Sequence, residues 1–486
     1  MHSQPCSLKL AALVLGSLGA AFAVLAQDPQ EPPQPDAPTV SKPKPAARGI
    51  PAINDPNSTV EGPSKPPDWQ PDNGPATGMQ VPGIGAPELG HSYWVPGLQY
   101  GSTIQSRTLG PQTSNGWYSN NYVGANLSLL EAWSRAQLGV NYSGGGFFST
   151  EKQTNNGTYQ QVSLGNTINL SRMQIQFFDH FSYIPDSQFG FAGGTNLALP
   201  GISGTLGPAI PGLGVSVIPT QSIYNAVGPR YSNAFAAQST YSFSRRSSVT
   251  FGGSYGFLHF TQAGNVDYDM ALGSAGYNYA INKNDSIGVL YRFTAYHYAG
   301  EPQALGNHVA NVVYVKKISQ RLALSLFGGP QITTYRVPIG GASQQTNFSG
   351  GATFQYRFAQ GDVTANYFHG LNGGAGVLVG SNADLATATI SHEFGRVWSG
   401  FLNFGYSRNR ALGSTAGLGQ PTYDDWFAGG GVNRPFGRNV NLALAYSARF
   451  ENTSASGCVG TGCNTDYIQN MVSVTLQWHT RPFVLP

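Results

Sequence analysis

Charge is what this sequence of 486 residues has least of. Asp, Glu, Lys and Arg make up 10% of it, against roughly 25% in an ordinary soluble domain. A water-facing globule would carry more, and a net charge of +3 offers no basic surface for nucleic acid. Apolar runs long enough for a membrane-spanning helix are missing after residue 26. Cysteine is scarce, with Cys6, Cys458 and Cys463 only. No third cysteine or histidine lies near the last two, so they make a poor zinc site. There is no His-Glu-x-x-His pair and no Walker-type phosphate loop. The expectation is a protein that is not an enzyme and needs no cofactor or metal.

What the chain does have is aromatic residues, at 12%, and an apolar/polar alternation of period two from about Leu98 to Trp478. In Phe401-Leu402-Asn403-Phe404-Gly405-Tyr406-Ser407, Leu402, Phe404 and Tyr406 share a face. Asn441 to Ser447 and Val472 to Trp478 repeat the pattern. Neighbouring side chains on a strand point to opposite faces, so each segment has one apolar and one small or polar face. Recurring segments of about ten residues with little charge are the signature of a transmembrane β-barrel. The predicted fold is all-β: a transmembrane, antiparallel, up-and-down β-barrel of about eighteen strands, with sixteen left open.

Residues 1–26 read as a secretory signal. Lys9 precedes an apolar core from Leu10 to Leu25, and Val24-Leu25-Ala26 suits cleavage before Gln27. Residues 27–90 hold half of the 32 prolines and are expected to be a disordered periplasmic linker. Such a segment serves as a spacer or as a tether to cell wall or a periplasmic partner. The barrel is expected over residues 91–486.

Connections alternate in length. Short ones include Ser244 to Ser247, Asn282 to Asp285 and Ala359 to Asp362; long ones include Thr150 to Thr158 and Gly370 to Asp384. Bacterial outer-membrane barrels pair short periplasmic turns with long outer loops. That parity puts the strand at 120–129 inward-running and both termini in the periplasm. It also predicts that Ile287, Val289, Tyr291 and Phe293 face lipid while Gly288, Arg292 and Thr294 face the lumen. Around Gly273 the apolar face switches, which predicts a bulge. Trp117, Trp133, Trp398 and Trp426 near strand ends suit interfacial girdles.

The predicted interior is small and polar, with a few tyrosines. A barrel this wide normally encloses an aqueous channel. Arg135, Arg172, Arg292, Arg357 and Arg449 fall on the inward parity and are candidate pore-lining residues. They either favour anions or pair with acids on neighbouring strands. The expected function is passive passage of small hydrophilic solutes. The alternatives are a structural or surface-interaction barrel and, more distantly, a lipid-modifying barrel enzyme, for which His180 and His392-Glu393 lack a serine partner in the sequence.

The longest interruption is Ser187 to Pro229, which has no charged residue and is rich in Gly and Pro. Leu199, Pro200, Ile210, Pro211 and Leu213 mark it as a candidate constriction or contact loop. It follows the fifth strand, and here the chain resembles the general bacterial porins, in which the corresponding loop folds into the barrel. The resemblance spans the barrel region and is architectural. It implies a Gram-negative outer-membrane location, contact with outer-membrane lipid and the insertion machinery, and a homotrimer. The chain departs from that pattern in the missing loop carboxylates and in its terminal Pro486, though Trp478 or Phe483 can supply the aromatic of the last strand. Cys458 and Cys463, in a short Gly-rich loop of an exported chain, are read as a disulfide.

Overall fold

In the computed structural model, the described residues are 92–109, 116–150, 156–184, 229–244, 246–261, 265–282, 284–319, 321–374, 378–394, 397–413, 421–437, 439–454 and 466–484. The signal segment 1–26, the Pro-rich segment 27–90, the 187–229 loop residues Leu199 to Leu213 and both Cys458 and Cys463 lie outside them.

Eighteen long strands follow in chain order. The first six are β1 (Tyr93–Leu109), β2 (Gly116–Ala132), β3 (Ala136–Ser149), β4 (Gly157–Asn169), β5 (Met173–Ile184) and β6 (Arg230–Ser242). Next come β7 (Ser247–Phe260), β8 (Tyr268–Ala280), β9 (Asp285–Tyr298), β10 (Ala304–Lys317), β11 (Leu322–Ile339) and β12 (Ala342–Phe358). The last are β13 (Gly361–Asn372), β14 (Ser381–Phe394), β15 (Trp398–Ala411), β16 (Thr422–Phe436), β17 (Val440–Ser454) and β18 (Asp466–His479). A two-residue strand, β19 (Phe483–Val484), ends the set. Each long strand pairs antiparallel with the next, and β1 closes the ring on β18 from Gly97↔His479 to Leu109↔Tyr467. The seam is extended by Trp94↔Phe483, whose rings stack at 4.8 Å. Closure satisfies every ladder and leaves no sheet edge for lipid. The expected barrel is therefore present, with eighteen long strands.

Short turns are set by side-chain hydrogen bonds to the backbone. Asn282 Oδ1 accepts from the amides of Asn284 and Asp285 at 2.7 and 2.9 Å. Ser244 Oγ accepts from the amides of Arg246 and Ser247 at 3.1 and 3.0 Å. These Asx- and Ser-type turns let the chain reverse in a few residues. Between β11 and β12 the reversal is at Gly340 and Gly341, with φ of 59° and 82°, values natural only to glycine.

The predicted alternation holds around the ring. On β9, Ile287, Val289, Tyr291 and Phe293 are exposed, and Ser286, Leu290, Arg292 and Thr294 are buried. Trp117, Trp133, Trp398 and Trp426 are all exposed. Arg434 sits over the rings of Trp398 and Phe436 at 5.0 and 4.9 Å, a cation–π anchor at the short-turn end. No described helix is long and apolar enough to cross a membrane, so the membrane-type surface belongs to the strands.

One expectation fails. β8 pairs in unbroken register with β7 and with β9 through Gly273, so there is no bulge at that residue. The apolar residues change face because Tyr268, Met270 and Leu272 point inward and pack there, while Tyr277 and Tyr279 point outward. The irregular register is instead between Thr334 and Ile339 of β11.

Candidate functional site: the inner wall of the barrel

Inward residues are built by the strand parity, and most are hydrogen-bonding groups. Gln99 Nε2 donates to Ser143 Oγ and to Tyr159 Oη, both at 2.8 Å. Ser128 Oγ donates to Asn141 Oδ1 at 2.6 Å. Gln469 Nε2 donates to Gln105 Oε1 across the closing seam at 2.8 Å. Asn372 Nδ2 donates to Asn409 Oδ1 at 2.8 Å. The Ser128 and Gln469 bonds join neighbouring strands, those of Gln99 and Asn372 reach past the next strand, and together they fix a polar wall.

The five arginines fare differently. Arg135 and Arg172 lie in the short turns after β2 and β4 and are exposed, so they stand at the barrel's end rather than on its wall. Strand geometry needs extended backbone, and both residues are where the chain turns. Arg357 is on the inward parity, one residue before the end of β12, and is exposed. Arg292 and Arg449 are buried on the inner face. Arg449 Nε donates to Asp425 Oδ1 at 3.0 Å, and its Nη2 donates to Glu451 Oε2 at 3.0 Å. Both acids are buried and inward. Arg449 is thus the centre of an ion cluster with one cation and two carboxylates, and its charge is met inside the wall.

Near the short-turn end the interior also carries apolar side chains. Tyr93, Val95, Leu130, Phe178, Ala236, Leu290, Val313, Phe327 and Phe368 form one buried apolar cluster. All nine are inward on their strands. They come from β1, β2, β5, β6, β9, β10, β11 and β13. In the ring of pairings β1 and β10 are half a barrel apart. Its members are spread over eight strands of the ring, with none on β7 or β8. At this level the inner wall carries apolar side chains beside polar ones, where the predicted interior was small and polar.

A second apolar cluster lies at the end with the longer connections. Leu258, Phe260, Tyr268, Met270, Leu272, Tyr296, Tyr298, Leu305 and Tyr335 line it, joined by Leu371 and Leu412. A Cβ built on Gly373 would come within 2.6 Å of the Tyr268 ring, and one on Gly380 within 2.4 Å of Leu305. The ends of the β13–β14 connection therefore lie against β8 and β10, and glycine permits the approach.

Sequence reasoning missed both clusters and one pair. The signal was available for β10, where Val312-Val313-Tyr314-Val315 is apolar on both faces, a pattern of a strand buried on both sides. The pair is Ser163 Oγ with His180 Nδ1, at 2.7 Å on adjacent strands. Asp179, next in sequence, points the other way and accepts from Asn233 Nδ2 at 2.8 Å, so it does not orient His180. Among the described residues no group of three metal-ligating side chains forms.

No family model and no curated protein matches the chain. Solved structures similar to it include Pseudomonas aeruginosa OpdQ, at 10% identity and a TM-score of 0.40 over 79% of this chain and 98% of that one. Pseudomonas aeruginosa OccK5 (OpdH) is similar at 11% identity and a TM-score of 0.41, over 80% and 98%. The ferric-catecholate import receptor Fiu of E. coli K12 gives 7% and 0.37, over 79% and 81%. Likenesses this slight assign neither solute nor site.

Proposed function

We propose that the chain is a passive, porin-like outer-membrane channel for small hydrophilic solutes. In this reading the short turns face the periplasm, both termini lie there, and residues 27–90 are a periplasmic spacer or tether. Outer-membrane lipid and the insertion machinery are the partners, and a homotrimer is the assembly. The observation that carries it is the hydrogen-bonding inner wall of a closed barrel whose outer wall is apolar. Such a wall offers polar solutes partners in place of lost water, and needs no catalysis. The test is proteoliposome swelling in small neutral sugars. Vesicles holding the purified barrel swell, and empty vesicles do not. Absence of swelling with every solute rejects the channel. The apolar cluster on the inner wall favours one second reading, a structural or surface-interaction barrel, and that same negative result supports it.

A further inference from the structure

The outer wall is not smooth. Near the longer connections it holds a cavity of about 590 Å³ on β7 to β11. Most of the residues around it point outward. Its floor is a row of small side chains, Ala271, Ala295 and Gly306, paired in register across β8, β9 and β10. Tyr255 and Thr334 close the two ends of that row, opposite Ala271 and Gly306. Met270, Tyr296, Leu305 and Tyr335 also border the cavity. Their side chains pack inward, so what they present to it is backbone. Phe293 is the next outward residue of β9 toward the short turns, and its ring lies 4.7 Å from that of His308. A Cβ on Gly306 would come within 3.6 Å of the Phe293 ring. The row of small residues is therefore a recess beside aromatic rings.

Its height and its rim say what it can hold. Ala295 is ten residues along β9 from Asp285. At about 3.4 Å per residue and a tilt of about 40°, the recess stands about 26 Å above the short-turn end, at the edge of a lipid-facing band about 25 Å tall. On the side of the longer connections, Asp269 and His297 face each other across β8 and β9. Arg336 follows Thr334 on the outward face of β11. Tyr255 Oη donates to Asp269 Oδ1 at 3.3 Å. His297 and Arg336 are exposed, and neither is paired with an acid among the described residues.

A guanidinium and an imidazolium bind phosphate. A carboxylate only accepts hydrogen bonds, so it suits hydroxyl groups. A tyrosine ring at the interface offers an apolar face with a polar tip. A headgroup of phosphate alone would set its charge against Asp269; a phosphorylated sugar gives that carboxylate donors. We propose that the recess is a binding site for a membrane glycolipid with a phosphorylated sugar headgroup. Arg336 and His297 hold the phosphate, Asp269 accepts from a ring hydroxyl, and an acyl chain lies over Ala271, Ala295 and Gly306. The inference rests on the outer-membrane placement in the proposed function, with the longer connections outside, and not on solute passage.

The experiment titrates the full-length barrel in detergent with diphosphoryl lipid A, and in parallel with phosphatidylglycerol, reading the bound lipid by native mass spectrometry. Lipid A is expected to bind at least about tenfold tighter than phosphatidylglycerol, since only its sugar ring meets Asp269. Arg336→Gln removes a charge-assisted bond and is expected to weaken lipid A about tenfold. Ala295→Phe fills the recess and is expected to weaken it about tenfold or more. Both residues face outward, and heat-modifiable migration on gels checks that each variant is folded. Lipid A binding that Ala295→Phe or Arg336→Gln leaves unchanged overturns the proposal. So does equal affinity for the two lipids. Competition by glucosamine 6-phosphate as strong as by lipid A itself marks a site for a soluble sugar phosphate and overturns the lipid assignment. None of these outcomes touches the lumen, so each leaves the swelling test of the channel standing, and a failure to swell leaves this site standing.

Discussion

The Arg449 cluster allows a quantitative test of how the wall is held. Arg449→Met removes the cation and leaves Asp425 and Glu451, on adjacent strands, facing the same buried space. Asp425 is 0% exposed, so water cannot take the place of the guanidinium. Breaking a buried ion pair from one side costs about 3–5 kcal/mol, because a charge is left without a partner. At an m-value of about 2 kcal/mol per molar urea, that lowers the unfolding midpoint by about 2 M. The assay is urea unfolding of the barrel in lipid vesicles, followed by tryptophan fluorescence. A triple variant, Arg449→Met with Asp425→Asn and Glu451→Gln, removes all three charges. It is expected to recover most of the loss, since replacing a whole buried ion group is often near neutral. A single variant as stable as the wild type would refute the reasoning, and so would a triple variant no better than the single.

Other outcomes follow from the same geometry. Val289→Arg places a charge on the outer face of β9 and is expected to destabilise the barrel by about 2–4 kcal/mol, read by urea unfolding. Trp94→Ala removes the ring that stacks on Phe483 at the seam and is expected to lower stability by about 1–3 kcal/mol, seen as a lower melting temperature on heat-modifiability gels. Gly373→Val cannot keep its position against the Tyr268 ring. In that background Tyr296→Cys, beside the Tyr268 ring, is expected to react with a membrane-impermeant maleimide, while Tyr296→Cys alone stays protected.

Much of the fold was legible in the chain because a strand's faces are written in its own residues. The alternation at 401–407, 441–447 and 472–478 needs no distant information, and neither do the turns at Asn282 and Ser244. Parity then places Arg292 and Arg449 inside. It misplaces Arg135 and Arg172, because periodicity runs on past the residue where a strand stops and cannot see the turn. Gly273 misled for a related reason. A change of apolar face looks like a bulge when only one strand is read, yet it arises from packing partners on β9 and β10.

The sequence by itself determined that the wall is apolar outside and hydrogen-bonding inside, since that depends on residues two apart. Only the tertiary structure decided which inner-wall residues are buried together. Val95, Leu290 and Phe327 are far apart in sequence and fall in one apolar cluster because closure of the ring sets their strands around a common interior. Arg449 could be read as a free pore charge until β16 set Asp425 beside it. Burial and pairing are properties of the closed ring, and a strand read alone does not contain them.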